Sequence, residues 1–184
     1  MGNRKKSTSG MTLVEVLIAS VIALMIGGVV VAAFLSGQRS FVSGTTLMEV
    51  HGDARVAMDW LSRDIKWAHQ VVMGSVTIGA DTYTTGASEL VLSIPSVDAS
   101  GDIIDGLFDT VVYTLNATDL MRIVAPDPGS SRTQLSDTIA NNVTNLRFTT
   151  AADNIAVSLT AQKTVLGGRT LSETLSTSVA LRNF

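Results

Sequence analysis

Twenty-five consecutive residues, Met11 to Leu35, read MTLVEVLIASVIALMIGGVVVAAFL and carry a single charge, Glu15. Within this run Val16 to Leu35 is 20 residues with one Ser, one Gly pair and no charge. At 1.5 Å per residue a helix of that length spans about 30 Å, the thickness of a bilayer core. A helix lying on a soluble core keeps a polar face. This one has none, so the segment predicts a membrane helix. Arg4, Lys5 and Lys6 stand on its N-terminal side. Positive residues stay on the cytoplasmic side, which puts the remainder of the chain outside.

Composition is informative mainly beyond Leu35. The apolar fraction is 46% and aromatics are 5% over 184 residues, but much of the apolar content sits in the early run. The rest is rich in Ser, Thr, Asp and Asn, as in an ordinary soluble domain. Setting aside Arg4, Lys5 and Lys6 takes the formal charge from −3 to −6. Nucleic-acid binding needs a clustered cationic footprint, so the acidic remainder disfavours it. The absence of cysteine excludes a disulfide framework, thiolate metal sites and a cysteine nucleophile.

Two ordinary readings fit the apolar run. One is a secretory signal peptide cleaved at Val31-Ala32-Ala33, and the other an uncleaved signal anchor. The run exceeds the usual h-region of about 7–15 residues, and a charge lies in its first turn. Both points weigh against the signal peptide.

Glu15 is costly where it stands, because a carboxylate inside a bilayer costs about 2.5–3.5 kcal/mol even on lenient insertion scales. Thr12-Leu13-Val14-Glu15 fits the [ST]-x-x-[DE] capping box that opens a helix. A first-turn carboxylate also favours the positive end of the helix dipole. On that reading Glu15 closes a helix end near the headgroups.

The wider context is Ser9-Gly10-Met11-Thr12-Leu13-Val14-Glu15, behind a basic leader and ahead of 20 apolar residues. It resembles the prepilin motif of type IV pilins and type II secretion pseudopilins: Gly, a hydrophobic residue, Thr, Leu, a β-branched residue, Glu, then the membrane helix. The resemblance implies that a prepilin peptidase cuts after Gly10 and that Met11 becomes an N-methylated terminus. Glu15, the fifth mature residue, would pair with the terminal amine of a neighbouring subunit, with Thr12 beside it at the assembly contact. A buried ammonium and carboxylate are each costly alone and neutralise one another only when a second subunit docks. The family usually has Phe where this chain has Met11, and major pilins commonly have Pro where it has Ala32. The Gly27-Gly28 pair offers an alternative source of helix flexibility.

Beyond the membrane, Ser36–Gly44 is polar with two glycines and predicts a fraying or bend of the helix. Helical periodicity resumes at Leu47, Val50, Ala54, Met58, Leu61, Ile65 and Ala68, one apolar stripe. Val56, Trp60 and Trp67 form a neighbouring stripe, and both are expected to pack on the head. Arg55, Asp59 and Arg63 at i, i+4 spacing suit the exposed side. The stretch from Gly52 to Ala68 also resembles the stem of minor pilins and minor pseudopilins.

From Val71 the period changes to short β-rich runs: Val76–Ile78, Glu89–Ile94, Thr110–Leu115, Leu120–Val124, Thr144–Thr149, Ile155–Ala161 and Leu171–Leu181. Turn-type residues separate them, and the short gaps favour antiparallel hairpins. The expected fold class is α+β, a long N-terminal helix packed on one antiparallel β-sheet head, pilin-like. The expected organisation is a basic leader (1–10), a transmembrane or filament-core helix (11–35), an amphipathic stem (36–70) and a β-rich extracytoplasmic head (71–184).

Motifs for catalysis are missing. His51 and His69, the only histidines, would lie about 27 Å apart on one helix, too far to share a metal or a reaction centre. No G-x-S-x-G or P-loop pattern occurs. Asp98, Asp102, Asp105 and Asp109 are candidates for a calcium loop; their spacing does not match the EF-hand, and a solvated acidic loop is preferred. No cofactor and no metal ligands are expected.

The sequence therefore reads as a non-enzymatic minor pilin or pseudopilin of a type IV pilus or type II secretion-like filament. Its expected partners are other pilin or pseudopilin subunits, the prepilin peptidase, an inner-membrane assembly platform and membrane lipid. Its expected location is the inner (cytoplasmic) membrane, single-pass with the head periplasmic, and then the filament. The alternative is a signal-anchored periplasmic binding or enzymatic domain that is not processed as a prepilin.

Overall fold

A computed structural model describes residues 11–151, 154–165 and 167–181. One helix, α1 (Leu13–Trp67), is followed by ten strands: β1 (Gln70–Val71), β2 (Ser75–Ile78), β3 (Asp81–Thr84), β4 (Leu90–Val97), β5 (Ile103–Asn116), β6 (Asp119–Ala125), β7 (Leu135–Ala140), β8 (Val143–Ala151), β9 (Asn154–Thr164) and β10 (Thr170–Ala180). The chain divides after Ser43 into two compact units. Residues Ser36–Gly44, expected to fray or bend, are α-helical throughout. Gly37 and Gly44 are isolated and each costs a helix only about 1 kcal/mol. The helix runs on through them between the apolar run before and the packed stripe after.

In the second unit α1 lies against antiparallel β-sheets, as an α+β domain requires. Val50, Ala54, Met58, Leu61, Ile65 and Ala68 of the expected stripe are buried. Ala57, between them, is equally enclosed. They share one core with Leu90, Leu92 and Ile94 of β4, Val111 and Tyr113 of β5, and Leu146, Phe148, Val157 and Leu159 of β8 and β9. The second stripe does not follow. Val56 and Trp67 are about half exposed, and the Trp60 ring carries the Arg63 guanidinium 3.9 Å from its centroid. Leu47 also stays 44% exposed.

In place of the single expected sheet, the strands form a five-stranded sheet (β1-β4-β5-β6-β7), a three-stranded sheet (β10-β9-β8) and the β2–β3 hairpin. All pairings are antiparallel. The break falls at the β7–β8 turn, where Asn142 is left-handed at φ 60°. From there β8 pairs forward with β9 rather than back with β7.

The β2–β3 hairpin has a packing role. Val91, Val112 and Ile123 point away from α1 and are buried beneath Val76, Ile78 and Tyr83. Residues Leu90 to Ser96 of β4 are consequently covered on both faces.

The buried stripe leads to a direct stability test. Leu61→Ala is expected to lower the unfolding free energy by about 2–5 kcal/mol. Val56→Ala is expected to change it by less than about 0.5 kcal/mol. Denaturation of the full chain in detergent, followed by tryptophan fluorescence, measures both. Equal effects would remove this assignment of the packed face.

Candidate functional site

The first unit presents an uncovered apolar helix. Every large apolar residue from Met11 to Leu35 is exposed, from 44% at Val21 to 82% at Leu13. Each such side chain gains roughly 1.5–3 kcal/mol on leaving water. Sixteen of them therefore amount to tens of kcal/mol in search of a cover. Among the described residues α1 is the one helix long and apolar enough to cross a membrane.

At its start the capping box is formed. The Glu15 backbone N–H donates to Thr12 Oγ1 at 3.3 Å. Reciprocally, the Thr12 N–H and hydroxyl both donate to Glu15 Oε2, at 3.3 and 3.4 Å. Val16 N–H closes the first turn on the Thr12 carbonyl at 3.2 Å. Thr12 is thus the N-cap and Glu15 the third helical residue, in the reciprocal arrangement that satisfies two otherwise orphaned donors. Only one oxygen of Glu15 takes part. Met11 precedes the cap and is 68% exposed, whereas Gly10 lies outside the described residues.

The four aspartates considered for calcium do not form a solvated loop. Asp105 and Asp109 belong to β5. Asp98 accepts the backbone N–H groups of Ser100 and Asp102 and shapes its own turn. Asp109 is fully buried. Its carboxylate accepts the Ser96 hydroxyl at 2.7 Å, the Asp127 N–H at 2.9 Å, the Ser130 hydroxyl at 2.9 Å and Arg132 Nη1 at 2.5 Å. Among the described residues no group of three or more His, Asp or Glu is placed to hold a metal.

A second buried tie joins the helix to the sheet. Asp64, on α1, accepts the Tyr113 hydroxyl and Arg122 Nε on its Oδ2, each at 2.7 Å. Burial pushes the Tyr113 phenol well up, and the neighbouring Asp64 charge adds to that. For Arg122 burial works against the charge, but the Asp64 hydrogen bond outweighs it and holds the guanidinium above its ordinary value. The residue pattern alone indicates neither aspartate for this role. The cue for Asp64 is its place beside the apolar stripe, one residue before Ile65.

The histidines have different partners, and only His51 is helical. His51 Nδ1 lies 3.2 Å from Glu173 Oε1. His69 stacks on Phe108 with ring centroids 4.7 Å apart. The i, i+4 ladder is not formed: among the described residues Asp59 has no ion pair with Arg55 or Arg63, and Arg63 approaches Asp64 at 4.0 Å instead.

Asp109 sets an acid limit on the head. Burial alone would raise its pKa, but the Asp127 amide, Ser96, Arg132 and Ser130 together hold it below the ordinary carboxylate value. A lowered native pKa contributes stability that is fully present above the unfolded value, about 3.9. It is lost as pH falls through the native value. Stability is therefore expected to drop on acidification below about pH 4. Asp109→Asn should cost about 3 kcal/mol at neutral pH and show a shallower acid loss in pH-dependent denaturation.

No family model matches the chain, and neither a curated protein nor a solved structure matches it.

Proposed function

We propose that the chain is a non-enzymatic minor pilin or pseudopilin, a structural subunit added to a type IV pilus or type II secretion-like filament through its N-terminal helix. The observation that carries this reading is the Gly10–Met11 junction followed by Glu15 at the head of an uncovered apolar helix. Lipid covers that helix while the subunit waits in the inner membrane, and neighbouring helices cover it in the filament. Glu15 is then an assembly residue. Its capping hydrogen bonds use neutral donors and leave its charge uncompensated. The terminal ammonium of a neighbour, freed by cleavage after Gly10, supplies the missing charge.

One observation favours the second reading, a signal-anchored periplasmic domain. The capping box is complete within the chain, and a cap alone gives Glu15 a reason to exist. Mass spectrometry of the mature protein separates the two. A mature chain beginning at N-methylated Met11 is expected. An intact Arg4–Lys6 leader or a start at Phe34 would overturn the filament reading.

Glu15→Ala is expected to leave leader cleavage intact while lowering incorporation into filaments by roughly tenfold or more, since an ammonium is then left unpaired in an apolar surrounding. Quantitative immunoblotting of sheared filaments against membrane fractions measures this. Unchanged incorporation would reduce Glu15 to its capping role.

A further inference from the structure

From Gly44 onward the chain has nine Lys and Arg against fifteen Asp and Glu. Yet three of the nine, Arg63, Arg122 and Arg132, line one cavity of about 360 Å³. Its other walls include Trp67 at the end of α1, Ile94 on β4 and Val111 on β5. Asp64 is the one carboxylate among the lining residues. An acidic head thus gathers a third of its cations around a largely apolar hollow.

The local charges do not balance. Arg132 is answered by Asp109, fully buried behind the cavity wall. Arg122 and Arg63 share Asp64, the first through Nε at 2.7 Å and the second at 4.0 Å. Asp64 Oδ2 also accepts the Tyr113 hydroxyl. Among the lining residues and their ion-pair partners one carboxylate therefore faces two guanidiniums, which leaves one positive charge over.

Both guanidiniums are also held in place. The Trp60 ring has Arg63 Cζ 3.9 Å and Arg122 Cζ 4.9 Å from its centroid. Stacking engages the face of a guanidinium and leaves the N–H donors at its edge for an acceptor. Arg122 meets Asp64 through Nε alone, not as a two-pronged pair. Its side chain is only 15% exposed, so an anion paired with it there is poorly screened by water.

We propose that this cavity binds a small carboxylate carried on an apolar body, such as an aromatic or short aliphatic acid. The carboxylate takes the surplus charge of Arg63 and Arg122, and the apolar body lies against Trp67 and Val97. The volume is that of a small-molecule site, which occupies about 300–1,000 Å³. A singly charged head matches the surplus. Inorganic phosphate lacks the apolar body that the walls would cover. This site is independent of the filament reading, since every lining residue belongs to the second unit, which begins at Gly44.

Trp60 and Trp67 are the only tryptophans, and both adjoin these groups, so intrinsic fluorescence reports occupancy. The full chain in detergent micelles is titrated with 3-phenylpropionate, its amide, benzylamine and inorganic phosphate. A saturable change with 3-phenylpropionate is expected, with the amide and phosphate at least tenfold weaker and benzylamine inert. Arg63→Gln, at a side chain 58% exposed, should weaken the acid at least tenfold while leaving the circular dichroism spectrum unchanged. No saturation, equal binding of acid and amide, or indifference to Arg63→Gln would each overturn the proposal.

Discussion

The strip of α1 from Val50 to Ile65 is the surface on which both sheets close, and the arrangement of the head depends on it. Apolar packing alone sets proximity and leaves register loose, since the hydrophobic effect is non-directional. Asp64 supplies direction. It sits on the edge of the strip and takes a hydroxyl from β5 and a guanidinium from β6, so the helix has one rotational setting in which that carboxylate is satisfied. A buried ion pair adds little net stability against an apolar alternative, but breaking it leaves an uncompensated charge. Asp109 plays the corresponding part across the sheet. It ties the loop after β6, through Asp127, Ser130 and Arg132, to Ser96 on β4.

Helix α1 meets two different surroundings along one continuous hydrogen-bonded backbone. Between Leu13 and Leu35 its large side chains are exposed on all sides, whereas from Val50 onward a stripe is enclosed and the opposite face stays exposed. Nothing in the backbone distinguishes the halves. Side-chain pattern does, apolar all round in the first and periodic in the second. A uniformly apolar helix matches lipid or a bundle of like helices, and a striped helix matches one sheet face. The same element thus presents an uncovered apolar surface at one end and packs against the head's sheets at the other.

Much of this is legible in the residues, and the failures have common causes. The stripe, the capping box and seven of the ten strands follow from periodicity and turn chemistry. Strand β3, Asp81–Thr84, escapes because its DTYT is polar, and β7 because LSDTIA carries little apolar signal. Each is fixed by ladder partners, Ser75–Ile78 and β6 respectively, which periodicity cannot report. The first half of β5 is misplaced for the opposite reason: Asp102, Asp105 and Asp109 make it look like a loop. Asp109 is tolerated there because four donors converge on it, and those donors lie 13 to 23 residues away in sequence. Trp60 and Trp67 mislead in turn, since an aromatic at helical spacing signals burial while here one carries guanidiniums and the other borders a cavity.

Glu15 brings the two readings of the N-terminus onto the same atoms. As a cap it satisfies hydrogen bonds: Oε2 receives the Thr12 amide and hydroxyl, and the first turn closes. Hydrogen bonds from neutral donors lower the cost of a carboxylate in apolar surroundings but do not cancel its charge. Near the headgroups, water covers the difference. Within a filament core no water does, and a cation must. If the filament reading holds, the cap prepares Glu15 for pairing instead of competing with it, because it fixes the carboxylate at the helix end with one oxygen engaged. On the filament reading, the intramolecular hydrogen bonds set where the charge sits, and its neutralisation is what a second subunit contributes.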